Sequence, residues 1–184
     1  MRRELVERAI AGDRDAYAEL ARTLIGRLYA IAFLILRNQA QAEDATQEAL
    51  VAAWRDLSAL RDPDRFDGWV HRILVRACHR EAVLGRRAGD IHVDVSTINL
   101  VQPDRSVDVV NHDELERGFR RLDADLRAVV VLHFYLDLPV PEVAEMLGIP
   151  VGTAKSRLHR ATQALRAALE ADARTSELLE GRSA

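Results

Sequence analysis

The hydrophobic residues between positions 2 and 84 recur at helical spacing, in runs that polar segments separate. One run follows Asp13 or Asp15, either of which can cap a helix, and its apolar residues continue to Leu36. The next run covers about 40–57 and carries alanines along one side. These runs predict long amphipathic helices that pack closely against each other.

A loop and a further helix complete this N-terminal part. The segment 58–67 contains Pro63 among charged residues, and the residue before a proline is biased away from the helical conformation. Helical spacing begins again at about Phe66 and continues to about Leu84. The residues that follow, up to Asn111, have no sustained period, and we interpret them as a flexible linker.

A helix-turn-helix pattern lies near the C-terminal end. Helical spacing resumes at His112, and 140–147 then has an apolar face. Gly148 supplies the backbone freedom for a sharp turn, and Pro150 suits the entry to a following helix. From about Val151 that helix is apolar on one side and cationic on the other, a form that the major groove of DNA accepts.

These patterns predict an all-α protein of two small helical domains joined by a flexible linker, the C-terminal one containing a helix-turn-helix. The domains cover 1–87 and 112–170, with the linker at 88–111 and a polar tail at 171–184. An aromatic content of 5% with 48% hydrophobic residues favours such helical packing over a β-sandwich.

The chain shows no sign of a membrane or secreted protein. No apolar run approaches the ~20 residues of a membrane span, and the first residues lack the apolar core of a signal peptide. We therefore expect a cytoplasmic protein without membrane insertion.

Charge is distributed unevenly. The net charge is only −3, yet 66–89 has five arginines against two acidic residues, and 151–169 has four cations and no acidic residue. Two basic islands in an otherwise acidic chain indicate DNA contact at two places, with little non-specific affinity for DNA alone.

Catalytic patterns are missing from the sequence. No phosphate-binding glycine loop or metal-spaced histidine pair occurs, so we expect no enzyme, no cofactor and no metal site. Cys78 and His79 are adjacent, and neighbouring side chains on a helix do not face each other, which argues against a nucleophile and its base. We interpret Cys78 as a small buried residue.

Three segments resemble motifs of the extracytoplasmic-function (ECF) group of bacterial RNA polymerase sigma factors, in the order of that family. They are AEDATQEALVAAWRDL, RFDGWVHRILVRACHR and LGIPVGTAKSRLHRATQALR. The resemblance covers nearly the whole chain. It implies a protein that binds core RNA polymerase and directs promoter-specific transcription initiation, with core polymerase, promoter DNA and an anti-sigma factor as its partners.

The resemblance also assigns residues to three surfaces. The first motif would bind core polymerase through Glu43, Asp44, Gln47, Glu48, Leu50 and Trp54. The loop and the second motif would hold the melted minus-ten element through Arg61, Asp62, Arg65, Trp69, Arg72, Arg76 and Arg80. The third motif would read the minus-thirty-five element through Thr153, Lys155, Ser156, Arg157, His159 and Arg160.

One departure from the family pattern affects the second surface. Many members have Asn where Arg76 stands and Asp where Arg80 stands, so the resemblance assigns no base contact to these two arginines. The spacing of Arg72, Arg76 and Arg80 puts them on one helical face, which favours contacts with phosphates.

Simpler alternatives remain open at this point. Ala45, Leu50 and Trp54 are also typical core residues, and Phe66 and Trp69 are more often core than platforms for a flipped base. The runner-up function is a helix-turn-helix regulator that binds duplex operators as a dimer. That function leaves the second basic island unexplained. An α-helical enzyme with a DNA-binding domain lacks any catalytic constellation.

Overall fold

The computed structural model describes residues 2–88 and 117–180, with side chains for 2–85 and 117–170. The chain divides into two compact units, Met1–Ile98 and Asn99–Ala184. Every regular element among the described residues is helical, so the predicted all-α class is confirmed. Nearly all of the predicted linker, 88–111, lies outside the described residues.

Four helices form the described part of the first unit, and two short 3-10 turns connect the last two of them. The helices are α1 (Arg2–Ile10), α2 (Arg14–Leu36), α3 (Gln39–Asp56) and α4 (Phe66–Ala88), with the turns at Leu57–Ala59 and Pro63–Arg65. These bounds confirm the helix ending at Leu36, the helix predicted over about 40–57, and the start of the third at Phe66. None of the helices among the described residues is long and apolar enough to span a bilayer.

Side-chain caps explain where α2 and α3 begin. Asp13 accepts hydrogen bonds from the backbone N–H groups of Asp15 at 3.0 Å and Ala16 at 3.1 Å. Asn38 caps α3 through a hydrogen bond from the N–H of Gln41, at 3.1 Å. Both caps satisfy donors that a helix start leaves without intrahelical partners. The sequence prediction of a cap at Asp13 or Asp15 is therefore settled in favour of Asp13.

The alanines of α3 bring it close to its neighbours. Ala42, Ala45 and Ala49 are 0% exposed and Ala53 is 1% exposed, and α3 packs between α2 and α4. Small side chains allow two helix backbones to approach closely, and larger residues such as Leu28 fill the remaining core. The opposite side of α3 consequently faces away from the core.

The second unit contains three helices in its described part, with a short helical stretch at 117–120 before them. They are α5 (Ala124–Val130), which continues into a π-helical turn at Val131–Tyr135, then α6 (Val140–Leu147) and α7 (Val151–Glu180). Asp123 caps α5 through the N–H of Leu126, at 2.8 Å. The backbone of α7 remains helical past residue 170, into the segment predicted as a polar tail.

The predicted helix-turn-helix is formed by α6 and α7. Gly148 ends α6 with φ +66, the left-handed conformation that glycine adopts without strain. The N–H of Ile149 then donates to the carbonyl of Ala144 at 3.0 Å, which closes the turn. Pro150 starts the next helix, because its carbonyl accepts from the N–H of Ala154 at 3.1 Å.

Candidate functional site

The outer side of α3 presents a row of polar residues. Four of the residues predicted to bind polymerase are exposed there, namely Glu43, Asp44, Gln47 and Glu48. Leu50 and Trp54 are half-buried at the edge of the same side. The six predicted residues therefore form one continuous surface. Of the three residues that could alternatively belong to the core, Ala45, Leu50 and Trp54, only Ala45 is fully buried.

An open groove lies between α2 and α3 beside this polar row, with a volume of about 560 Å³. Its lining residues are Ile25, Gly26, Tyr29, Glu43, Thr46, Gln47, Leu50 and Val51. Ile25 is 51% exposed and Val51 is 61% exposed, although both are large apolar side chains. An exposed apolar groove with polar residues along its rim is suited to a helix of a partner protein.

The sequence prediction missed Ile25, Gly26, Tyr29 and Val51. For Ile25 and Val51, the position along the helix could have indicated an exposed apolar side chain. Ile25 follows the buried Leu24 and therefore lies off the apolar stripe of α2. Val51 is four residues after the exposed Gln47, on the polar side of α3, where an apolar residue has no core to join.

Trp54 is held in place by α2. The rings of Tyr17 and Trp54 are 4.9 Å apart, and the hydroxyl of Tyr17 donates to the carbonyl of Leu50 at 2.5 Å. Burial raises the pKa of Tyr17 to about 12, so this hydroxyl keeps its proton. The last turns of α3 are thus fixed relative to α2.

The loop before α4 contains three of the residues predicted for the minus-ten element. Arg61, Asp62 and Arg65 are all exposed at one turn. Asp62 accepts a hydrogen bond from the N–H of Asp64 at 3.1 Å, and its other oxygen is 3.5 Å from Nε of Arg65. This local network fixes the backbone at Pro63 while leaving the guanidinium groups at the surface.

Two arginines of α1 also contact this loop and the start of α4. Arg3 donates to Asp64 at 2.7 Å, and Arg2 donates to Asp67 at 2.5 Å. Neither contact was predicted, because the partners are more than 60 residues apart in the sequence and no spacing rule connects them.

The aromatic residues at the start of α4 have different environments. Phe66 is 2% exposed and belongs to the core, so the interpretation as core is confirmed for it. Trp69 is half-buried, with its ring 6.3 Å from that of Phe66. Part of the indole therefore remains at the surface beside the loop.

The three predicted arginines of α4 differ in accessibility. Arg72 is half-buried, whereas Arg76 and Arg80 are exposed. Arg80 donates to Glu48 of α3 at 2.5 Å, so the arginine row reaches the polar surface of α3. Burial, then the carboxylates of Asp44 and Glu48, raise the pKa of the nearby Glu81.

Two buried residues of α4 have no place in either surface. His71 is 7% exposed, and burial, followed by the positive charge of Arg27, lowers its pKa to about 4, although Asp67 opposes this shift. Cys78 is 1% exposed, and burial raises its pKa to about 12. This confirms the interpretation of Cys78 as a small buried residue.

The start of α7 exposes the predicted DNA-reading side chains. Lys155, Ser156, His159 and Arg160 are exposed, and Thr153 and Arg157 are half-buried. The apolar side is formed by Ala154, Ala161 and Ala168, which are at most 1% exposed and pack α7 against α5 and α6. Within the described part of the chain, neither Lys155 nor Arg160 forms an ion pair.

Arg157 has a structural contact. Its Nη2 lies 3.0 Å from Oδ2 of Asp125, and the two side chains are 25% and 35% exposed. The pair joins α7 to the first turn of α5. Two residues after Asp125, Arg127 is 2% exposed and donates to the carbonyl of Leu122 at 2.7 Å. Sequence reasoning missed this buried arginine.

Family models match both units. The model for Sigma-70 region 2 matches residues 20–87, and that for Sigma-70, region 4 matches residues 112–165. The ECF RNA polymerase sigma factor SigM of Mycobacterium tuberculosis is 34% identical over 161 residues, which cover 86% of this chain and 79% of the relative. The chain belongs to the ECF family of RNA polymerase sigma factors.

Solved sigma-factor structures share the fold. CnrH in complex with the cytosolic domain of CnrY is 27% identical, with a TM-score of 0.63 over 93% of this sigma factor and 98% of that chain. The sigma factor RpoE in complex with the anti-sigma factor NepR, from Bartonella quintana, is 22% identical with a TM-score of 0.63, over 85% of this chain and 98% of that one.

Family membership answers the question that the sequence left open between three function classes. Sigma factors are transcription initiation factors and are not enzymes, so the prediction of a non-enzymatic protein is confirmed. It also favours the sigma factor over a dimeric operator-binding regulator. Among the described residues, no group of three or more His, Cys, Asp or Glu side chains could hold a metal ion.

Proposed function

We propose that this sigma factor divides promoter-specific initiation among three surfaces. The outer side of α3 and the adjacent groove dock on core RNA polymerase. The loop before α4 and the arginines of α4 hold the melted minus-ten element. The start of α7 reads the minus-thirty-five element. The first two belong to a domain at 1–87 and the third to a domain at 112–170, with the linker at 88–111 and a tail at 171–184.

The observation that carries this proposal is the exposed cationic start of α7. Lys155 and Arg160 lie in the helix that follows the turn of the helix-turn-helix. Neither has a carboxylate partner in the described region. Cations in this position donate to guanine edges in the major groove, and the hydroxyl groups of Thr153 and Ser156 suit phosphates. Arg157 positions α7 through Asp125 and has a smaller share in contacting DNA.

Polymerase docking is supported by the chemistry of the α3 surface. The groove supplies apolar area that the described residues leave exposed, mainly Ile25 and Val51. Exposed carboxylates and Gln47 border it and give a partner helix its register. The charged groups of this surface, Glu43, Asp44 and Glu48, are negative and repel the phosphates of DNA.

Minus-ten binding is supported by the combination of cations and an accessible aromatic edge. Arg61, Arg65 and Arg76 are exposed, and Trp69 keeps part of its ring at the surface. Single-stranded DNA is held by this combination, because cations track the phosphates and an aromatic face stacks with bases.

The first test is binding of the purified chain to core RNA polymerase, compared with promoter-length duplex DNA alone. We expect tight binding to core and weak binding to naked duplex. Val51→Asp should weaken core binding by at least about tenfold, because it places a charge in the apolar groove. Leu84→Asp is the matched control, since Leu84 is 55% exposed outside the groove. Salt-sensitive duplex binding as a dimer, without core binding, would instead support the regulator.

The second test separates promoter reading from docking. A promoter fragment is first selected by the wild-type holoenzyme from a randomised duplex pool. Lys155→Ala with Arg160→Ala should abolish specific initiation on that fragment while leaving core binding intact. Arg166→Ala, which removes an exposed cation further along the same helix, should retain initiation. Loss of core binding in the double variant would contradict the division of labour.

We also propose that an anti-sigma factor holds this protein inactive in the cytoplasm. The neighbours CnrH and RpoE were each solved in complex with another protein. The test is to purify complexes of this chain that lack core polymerase, identify the companion protein, and add it in pure form to the transcription assay. A true anti-sigma factor lowers initiation by this holoenzyme and leaves initiation by another sigma factor unchanged.

A further inference from the structure

The first turn of α1 contacts both the loop that precedes α4 and the first turn of α4. Arg2 is paired with Asp67 at 2.5 Å and Arg3 with Asp64 at 2.7 Å. Arg3 also donates to Glu7 of its own helix at 3.0 Å, so its guanidinium is held between two carboxylates. Residues 2 and 3 lie before the segment matched by the region 2 family model, which begins at residue 20.

These pairs change the charge that the loop presents. Between Arg61 and Asp67, which covers the loop and the first residues of α4, the chain has three aspartates and two arginines, so this segment alone is net negative. A loop of that sign repels the phosphates of a DNA strand. With Arg2, Arg3 and Glu7 included, the cluster has four arginines against four carboxylates, so the pairing cancels the net negative charge.

The pairs are poorly suited to a purely structural purpose. The four side chains are 43% to 61% exposed, and ion pairs at such positions contribute little to folding. The apolar side of α1 already attaches it to the unit, because Val6 is 1% exposed and Ala9 is 2% exposed. Replacing the arginines should therefore leave the fold intact and reveal any role in DNA binding.

We propose that Arg2 and Arg3 are positioning residues of the minus-ten site, which neutralise Asp67 and Asp64 and hold the loop in a form that a melted DNA strand can approach. This inference rests on the proposed function of the loop. It extends the site to α1 and assigns the two aspartates a role as anchors rather than as DNA contacts.

The experiment uses holoenzyme reconstituted from core polymerase and the full chain. Two probes are measured: opening of the promoter fragment selected by the wild-type holoenzyme, and binding of its single-stranded non-template oligonucleotide across the minus-ten element. Arg2→Gln with Arg3→Gln should lower both by about tenfold, with core binding unchanged. Adding Asp64→Asn with Asp67→Asn should restore both to within about threefold of wild type, because the loop regains its charge balance.

The matched control is Arg8→Gln with Arg14→Gln. It removes the same number of positive charges from the N-terminal residues of the unit, and Arg8 also forms an ion pair from α1, at 2.6 Å to Asp13, a residue outside the loop. This control should behave as wild type. An equal loss in the control would overturn the inference, since the effect would then be one of total charge.

Two further outcomes would also overturn it. No loss in the arginine double variant means that the pairs do not matter for DNA. A loss that the aspartate substitutions fail to restore means that the arginines act on DNA themselves rather than through the carboxylates. Arg61→Gln with Arg65→Gln separates these results from failure of the proposed function. If that loop variant also opens the promoter normally, the loop is not the minus-ten site and both proposals fail.

Discussion

Arg80 of α4 lies 2.5 Å from Glu48 of α3, and the two side chains belong to different proposed surfaces. Glu48 is one of the polymerase-docking residues, and Arg80 is the last of the arginines proposed to follow DNA phosphates. The side chains are 51% and 45% exposed, so water and salt weaken their attraction. A partner that engages Glu48 therefore leaves Arg80 available to DNA at a small cost.

This relationship predicts that Glu48→Gln raises the affinity of the free chain for single-stranded DNA. We expect an increase of about two- to fivefold at low salt, because Arg80 loses its carboxylate partner and can bind phosphate. The gain should vanish when Arg80→Gln is added. The measurement is fluorescence anisotropy with a labelled oligonucleotide.

The matched control for this cycle is Glu43→Gln, which removes a carboxylate from the same side of α3 without touching Arg80. An equal gain in that variant, or a gain that persists in the Arg80→Gln background, would show a general charge effect and contradict a specific link. High salt should suppress the gain in every case.

The helices and their order could be predicted because local chemistry specifies them. Asp13 and Asn38 cap helices through their own neighbours in sequence, and Gly148 ends one by adopting the left-handed conformation. The alanine spacing of α3 similarly predicted which side is buried. These signals operate over a few residues, so a single sequence contains them.

Contacts between distant residues could not be predicted in the same way. The pairs Arg2–Asp67, Arg80–Glu48 and Arg157–Asp125 each join residues more than 30 positions apart. Many arginine–aspartate combinations in this charged chain have equal sequence support, and only the packing of helices selects among them. The groove at Val51 was missed for the same reason, since it depends on how α2 and α3 are placed.

The contact between Arg157 and Asp125 predicts a structural phenotype for Arg157→Ala. The pair is partly shielded from solvent, so we expect a loss of about 0.5–1 kcal/mol in the stability of the second unit. Asp125→Ala should cost a similar amount, and the double variant should cost less than the sum. Unfolding can be followed by NMR amide signals of residues 117–165.

Promoter affinity distinguishes a positioning role of Arg157 from a direct contact between Arg157 and DNA. If Arg157 acts by positioning α7, Asp125→Ala should weaken promoter binding by the holoenzyme about as much as Arg157→Ala does. If only the arginine variant is impaired, its guanidinium contacts DNA directly. Lys155→Ala serves as the reference for a direct contact, since it should lower promoter affinity without lowering stability.

Burial of Cys78 predicts an unreactive thiol. With a pKa of about 12, only about one part in ten thousand is thiolate at pH 8, and the side chain is also shielded from reagents. A disulfide reagent should therefore label the native chain only at the rate of unfolding, and label it at once in urea. Ser58→Cys provides an exposed thiol in the same unit as the positive control. Rapid labelling of native Cys78 would contradict the buried assignment.

His71 predicts an acid sensitivity of the first unit. Its pKa is lowered from 6.5 to about 4 in the folded chain, mainly by burial and secondarily by Arg27. Between these values the unfolded chain takes up a proton that the folded chain rejects, so stability falls as the pH falls. The contribution of His71 to the free energy of unfolding is complete above about pH 6.5 and is lost progressively down to about pH 4. We expect a loss of about 2 kcal/mol at pH 5 relative to pH 7.

The measurement is urea unfolding at these two pH values, followed by tryptophan fluorescence, because both tryptophans of the chain, Trp54 and Trp69, lie in the first unit. His71→Leu should remove most of the difference between pH 7 and pH 5. The apolar side chain is tolerated there because Nε2 of His71 has no hydrogen-bond partner among the described residues. His79→Gln, at an exposed position of the same helix, is the matched control and should keep the full difference. A difference that survives in His71→Leu would assign the acid sensitivity to the carboxylates, such as Asp13, whose pKa the backbone N–H of Ala16 and the ion pair with Arg8 lower.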